Sequence, residues 1–593
     1  TGPPARIRYN RGVVLPANRP RPFPELKPRR PNYAPEQAWM GRLVLVAKHL
    51  DVWLYQLSQR YGRRIATLDQ IPDEILEELN AQGFNGLWPV GLWRRSPASR
   101  AIKHQFGNLH AEASAYAVYS YEAGERFGGE VALDDLQRRA AKAGLRLGVD
   151  MVPNHTGLDA PWMAEHPQRY LSVPDNPLPN NYAFSGPNLS ADPRFELRLE
   201  DHYADQSDAA VVFQRRDTRS GRTDYVYHGN DGVGVPWNDT AQLDFLNPDT
   251  RRAVIDQIVA VARRFPIVRF DAAMTLVRRH VQRLWYPKRG QQGFIYTRQD
   301  YRLSNKEFER RLPREFWAEA VERLRAEAPD SLLLAEAFWL LEGVFVHQLG
   351  LHRAYNSGFM HNLREEDNQA FRQSIQDALL FDPRLLAHYG NFLSSPDEPS
   401  TAEQFGRSDK YFAAATLLAT LPGTPLFDHG QVEGYEETYA MDLLEPYRRE
   451  QADPQLIARH QAQIAPLLKQ RARFAGTEHF RLYDVRSPRD KVLEDLIAFS
   501  NRDGDQRALV LVNNSAEELS GRLLESAPFV RVPTGKQYRE TLAESLGLPP
   551  GRWLARGQQP DTPGLVIQSP ADEPISVTLA PYEARIYLDF ETT

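Results

Sequence analysis

Five charged residues close or follow short apolar runs in this sequence. Asp150 ends LRLGVD, Arg269 and Asp271 end IVRFD, Glu336 ends LLLAE, and Asp397 follows NFLSSP. Asn154 and His155 lie just beyond Asp150. Several carboxylates and an arginine converging on one mouth from different strands could break a glycosidic bond. That chemistry needs one carboxylate as nucleophile or base and a second as proton donor, its pKa raised by its surroundings. A single strand-end Asp as readily bonds backbone amides at a helix start, so only the joint pattern points to chemistry. The 15 His include no HExxH motif for zinc, and GVGVP is too short to cradle a phosphate.

The elements that must position these residues follow a rhythm. VWLYQLS (52–58) predicts a buried strand, IPDEILEELNAQG (71–83) a helix ended by Gly83, and FNGLWPVGLW (84–93) the next strand. VALDDLQRRAAKAG (131–144) then feeds LRLGVDMVPN (145–154), DTRRAVIDQIVAVARRF (249–265) feeds IVRFDAAM (267–274), and REFWAEAVERLRAEAP (314–329) feeds SLLLAEAFW (331–339). NFLSSP supplies a seventh strand, and KYFAAATLLATLPG (410–423) precedes TPLFDHG (424–430). Helix and short apolar strand, repeated this often, predict an α/β fold closed as a (β/α)8 TIM barrel over residues 41–475. Residues 157–245, rich in Asp, Asn, Gly, Tyr and Pro, predict an inserted domain after the third strand. LIAFSNR, ALVLVNN, ISVTLAP and EARIYLDF predict an all-β sandwich over 476–593. Residues 1–40 hold nine prolines and several Arg without periodicity, which predicts an extended N-terminal arm.

Composition narrows the classes. The chain has 593 residues, 42% hydrophobic and 25% charged, enough for a large core and too apolar for global disorder. Arginine supplies 62 of the 72 basic residues, yet 77 acidic residues leave a net charge of −5. No basic footprint for nucleic acid or anionic lipid is present. No apolar run reaches the roughly 20 residues that span a bilayer. Zero Cys excludes disulfides and thiolate chemistry together. The expectation is a soluble protein without nucleic-acid or membrane partners, with the cytoplasm favoured over secretion.

At the strand ends the sequence resembles the α-amylase superfamily, glycoside hydrolase family 13. DMVPNH (150–155), VRFDAAM (268–274), AEAF (335–338) and NFLSSPDE (391–398) resemble its four signatures, in family order. SAYAVYSY (114–121) resembles the segment with the stacking tyrosine, PWNDTAQLDFLNP (236–248) the return from the inserted domain, and LPGTPLFDHGQ (421–431) the eighth strand. The resemblance runs from about residue 50 to the C-terminus. It implies Asp271 as nucleophile of a covalent glycosyl-enzyme, Arg269 holding it ionised, and Glu336 as general acid then base. It further implies Asp397 as a transition-state stabiliser, His155 and Tyr119 as sugar-binding residues, and Asp150 as an organiser of the site. The Asp271 and Glu336 carboxyl groups should then stand about 5–5.5 Å apart, the retaining geometry. Asn154 resembles a family calcium ligand, which makes a structural calcium an expectation, while the chemistry itself needs no cofactor.

Three departures stand out. Pro396 replaces the His before the last Asp, Met274-Thr275 replaces a Lys-His pair, and Ala117 replaces a His upstream of the tyrosine. Each exchange removes an ordinary hydrogen bond of about 0.5–1.5 kcal/mol. The substrate expected is an α-1,4-glucan or maltooligosaccharide, cleaved by hydrolysis. The alternatives are a transglycosylase or maltosyltransferase with a sugar or phosphate acceptor, and a non-catalytic carbohydrate-binding barrel. Trp88, Trp93, Trp162 and Trp237 flank the expected mouth, where sugar stacking competes with core packing.

Overall fold

The computed structural model describes residues 30–593 apart from 206, 233–234, 291–294, 339, 533 and 571–573. Eight parallel strands close into a barrel. In chain order they are β1 (Leu45–His49), β2 (Gly86–Val90), β3 (Arg146–Met151), β4 (Ile267–Phe270), β5 (Leu332–Ala335), β6 (Arg353–Asn356), β7 (Tyr389–Phe392) and β8 (Thr424–Phe427). Five of the eight are buried along their whole length and the other three at all but one end residue, as expected of parallel strands covered by helices on one face and packed axially on the other. Helices Asp73–Ala81, Gly129–Lys142, Pro248–Arg264, Phe316–Glu327 and Asp409–Thr420 lie where the sequence periodicity placed them. Gly86 leaves room at the centre: a Cβ there would stand 2.7 Å from Leu43 Cδ1 and 2.9 Å from Leu45 Cδ1.

The first strand differs from the sequence expectation. LVAKH forms β1, and residues 52–58 belong to the helix Leu50–Tyr61. Leu50, Trp53, Leu54 and Leu57 recur at helical spacing and are buried, and Gly62 at φ 61° ends the helix in the left-handed region. The apolar run looked strand-like because Val52 and Tyr55 fill the gaps between those positions. Val52 packs with Tyr439 and Leu443 in a small separate cluster.

The expected arm also changes character. Its first 29 residues lie outside the described residues. Residues 30–40 pack on the base of the barrel, where Glu36 grips the guanidinium of Arg353 at 2.5 and 3.1 Å and Tyr33 stacks on His388 with ring centres 4.4 Å apart.

The inserted domain is present. A short antiparallel neck pairs His155–Gly157 with Thr240–Gln242. Beyond it the strands Ser172–Val173, Phe195–Arg198, Val212–Asp217 and Thr223–Tyr227 form one antiparallel sheet. After the barrel, a six-stranded sheet runs from Arg481–Tyr483 through Ala584–Thr592 to Leu565–Ser569, with two-stranded pieces beside it. Its own core gathers Leu496, Leu509, Leu511, Ile567 and Tyr587. No helix among the described residues is long and apolar enough to cross a membrane.

Candidate active site

Strand register builds the site. In the β3–β4 ladder Arg269 is opposite Asp150, so both side chains occupy one layer of the barrel interior. The ladder continues one step past the strand ends. Asp271 N–H donates to the Met151 carbonyl at 2.9 Å, and Glu336 N–H donates to the Phe270 carbonyl at 3.0 Å. Asp271 and Glu336 are thereby fixed at the mouth by backbone bonds rather than by loop packing. Asp397 comes from the turn after β7, where Glu398 N–H closes on the Ser395 carbonyl at 3.0 Å.

These residues meet on one cation. Arg269 is 1% exposed, and its Nη1 lies 2.8 Å from Asp271 Oδ1 and 3.1 Å from Asp150 Oδ1. Its Nη2 lies 2.9 Å from Glu336 Oε2 and 3.9 Å from Asp397 Oδ2. Tyr355, on β6, receives the Nε–H at 3.3 Å. Trp88 and Trp93 donate their indole N–H groups to the Asp150 side chain and carbonyl at 2.9 and 2.7 Å, so both tryptophans are committed to the core. Of the other two flanking tryptophans, Trp237 packs beside His155 and Trp162 lies under Arg169.

The turn after Asp271 is strained. Ala272 has φ 44°, a left-handed conformation that a non-glycine residue adopts at a cost. There its N–H reaches Glu336 Oε2 at 2.7 Å, and Thr275 Oγ1 and Trp317 Nε1 hold the Ala272 and Ala273 carbonyls. Met274 and Thr275 are thus buried in the turn that aims an amide at Glu336.

Four carboxylates share a single guanidinium, and their protonation reflects it. Burial pushes the Asp271 carboxyl well up; Arg269 pulls it back, and Glu336, Asp397 and Asp150 push it up again. Burial raises Asp150 to about 6 against the opposing pull of Arg269. Asp397 keeps about half of its side chain open to the mouth, yet the surrounding protein and Glu336 raise it to about 7. The cluster therefore retains a proton that isolated carboxylates would release. At Asp271 the Arg269 guanidinium acts against that shift and favours the ionised carboxylate. His155 is held neutral by burial, its pKa lowered to about 4, with a ring N–H bonded to the Tyr116 carbonyl.

The tyrosine against the cluster is Tyr116. Its ring centre lies 5.1 Å from the Arg269 guanidinium, and its buried hydroxyl has no hydrogen-bond partner. Tyr119 lies elsewhere, under the Arg94 guanidinium at 4.7 Å, on the strand Val118–Ala123. Tyr116 stands before that strand, which pairs with Trp93–Arg95 through register shifts. Tyr116 and Tyr355 carry no site expectation from the sequence, and Trp88 only that of an aromatic flanking the mouth; each contacts Arg269 from a different strand or loop, a relation with no local signal.

The calcium expected at Asn154 does not fit the residues present. Gln242 Nε2 donates to the Asn154 and Leu243 carbonyls, both at 3.1 Å, which fixes the orientation of its amide. Its two N–H groups are shared among these carbonyls and Asn154 Oδ1, the nearest of the three oxygens at 2.9 Å, and Asn154 Nδ2 returns a bond to Gln242 Oε1 at 3.2 Å. The oxygen that would face a cation faces a donor instead. No group of three Asp, Glu or His gathers for a metal among the described residues.

No family model matches the sequence, and no curated protein matches it. Solved structures do. A maltogenic α-amylase from Thermotoga neapolitana superposes with a TM-score of 0.57 at 14% identity, over 92% of this chain and 99% of that one. An α-amylase from Geobacillus thermoleovorans gives 0.56 at 15% identity, over 93% and 99%. A debranching enzyme from Nostoc punctiforme gives 0.56 at 12%, over 94% and 100%. The architecture is that of the α-amylases: an eight-stranded parallel barrel, an insertion after its third strand and a C-terminal β-domain. At this identity the likeness establishes the fold.

Proposed function

We propose that the protein is a retaining glycosidase acting on α-1,4-linked glucan or maltooligosaccharides. The carrying observation is the grip of one buried arginine on Asp150, Asp271 and Glu336, with Asp397 at the rim. In this reading Asp271 attacks the anomeric carbon and forms a glycosyl-enzyme. Glu336 protonates the departing glycosidic oxygen, then takes a proton from the incoming acceptor. Asp397 holds ring hydroxyls as the sugar distorts. Tyr116 supplies the aromatic face under the ring, and His155 a neutral hydrogen-bonding group beside it. Asp150 spends its contacts on Trp88, Trp93 and Arg269, which makes it an organiser. The neighbours named as α-amylases and a debranching enzyme, two of them solved with acarbose, support an α-glucan substrate.

Water as acceptor gives hydrolysis, and a sugar hydroxyl or phosphate gives transfer through the same intermediate. Incubation with maltoheptaose, with and without inorganic phosphate, read by mass spectrometry, tests both. Shorter oligosaccharides alone are expected. Longer chains or sugar phosphates would assign a transferase. No product from any α-glucoside, with Glu336→Gln binding the sugar as well as the parent does, would leave a binding barrel.

A further inference from the structure

One carboxylate at the mouth has no place in the mechanism above. Asp428 follows β8 directly and lines a small cavity whose floor is apolar, with Leu45, Phe392 and Leu426, and whose rim carries Trp88, Tyr355, Ser394, Ser395 and Pro396. Trp88 and Tyr355 are two of the rings around Arg269, 5.3 and 5.6 Å from its guanidinium, so this cavity borders the carboxylate cluster. Pro396 sits on its wall beside Asp397 and offers no donor or acceptor from its ring.

The partners of Asp428 leave it under-satisfied. The His429 N–H reaches its carboxylate. Ser394 Oγ lies 3.3 Å from Oδ2 but only 2.9 Å from the Pro399 carbonyl, and a hydroxyl has one proton to give. Lys48 acts on it only weakly from a distance, its ammonium being bound to Glu433 at 2.9 Å. A carboxylate carries about four acceptor sites, so these donors leave capacity on Asp428 unfilled. Burial accordingly raises its pKa to about 6. An acceptor-only group held without a counter-ion beside a hydroxyl-rich substrate has an obvious donor: a sugar O–H, which forms a charge-assisted bond.

Resting on the glycosidase reading, we propose that Asp428 is a specificity-determining residue that accepts a hydrogen bond from one hydroxyl of the sugar ring undergoing cleavage, the polar contact that Pro396 cannot make. The substrate it selects is an α-glycosyl unit carrying that hydroxyl free and unsubstituted.

The test uses the full chain, α-glucosyl fluoride and its 2-, 3- and 6-deoxy analogues as substrates, with wild type, Asp428→Asn and Asp428→Ser. On the parent fluoride the variants are expected to lose about tenfold or more in kcat/KM, the size of a charge-assisted bond. On one deoxy analogue the loss should shrink to within about twofold, because the bond is already absent there. The ratio between analogues within one variant does not depend on the fraction folded, so a poorly folding variant still answers. An equal loss on every analogue, or no loss on the parent, overturns the proposal and leaves the glycosidase reading intact. Failure of the wild type to turn over any of the fluorides or maltoheptaose overturns both.

Discussion

Two arginines are buried on the barrel axis, and their surroundings differ in kind. Arg353, at the base, is 1% exposed and fully matched. It holds Glu36 through both Nη atoms, the His352 and Met40 carbonyls, and Thr424 Oγ1. The balance lowers the Glu36 pKa: burial pushes it up, but Arg353, His388 and His352 together outweigh burial. Arg269, at the mouth, is equally buried, yet it faces four carboxylates, and Asp271 beside it is pushed up instead of down. The same guanidinium chemistry gives opposite outcomes because Arg353 meets a single carboxylate and Arg269 meets four. A balanced buried pair serves the fold; a crowded one holds a proton that chemistry can use, at a cost to stability.

The largest expected effect breaks the mouth. Glu336→Gln or Asp271→Asn should lower kcat by about 10³-fold or more on maltoheptaose, measured by initial rates. Asp271→Asn should also raise Tm, since it removes one surplus charge; a fall in Tm would contradict the crowding argument. Breaking the base should act the other way. Glu36→Gln leaves Arg353 buried without its counter-charge and should cost about 3–5 kcal/mol in denaturant unfolding, with kcat per folded molecule unchanged.

Next in size is the tyrosine pair. Tyr116→Ala should lower kcat/KM by about tenfold or more, while Tyr119→Ala stays within about twofold. Equal losses would return Tyr119 to the site.

The pH dependence follows from the signs. Asp150 and Asp397 have pKa values raised above those of the unfolded chain, to about 6 and about 7. Their contribution to stability is full below the unfolded carboxylate pKa of about 4 and is lost as pH rises through those values. Glu36, lowered, contributes above its unfolded pKa and loses that contribution on acidification. Tm should therefore fall between pH 5 and 8, and Asp397→Asn should flatten that fall. The kcat/KM should decline above about pH 7 as the retained proton leaves. The smallest effect is expected from chelator: EDTA should leave Tm within about 1 °C, because the Asn154–Gln242 amide pair stands where a cation would.

Much of the site was legible because the active end of a barrel is made locally. A short apolar run sets a strand, and the polar residue at its end has to face the mouth. Asp150, Arg269, Asp271 and Glu336 follow from that rule, and the β3–β4 register brings Asp150 and Arg269 together. Residues 52–58 were misread because an apolar run too short for periodicity suits strand and helix alike.

What the sequence determined by itself is the order of elements, the strand ends and the carboxylates they carry, since these depend on neighbours within a few residues. The tertiary structure decided which tyrosine meets Arg269, that Gln242 pairs with the Asn154 amide, that Glu36 closes the base against Arg353, and that Asp428 is left with unfilled acceptors. Each of these is a pairing of charge or hydrogen-bond capacity across loops or strands distant in sequence, and capacity is counted only when the chain is closed.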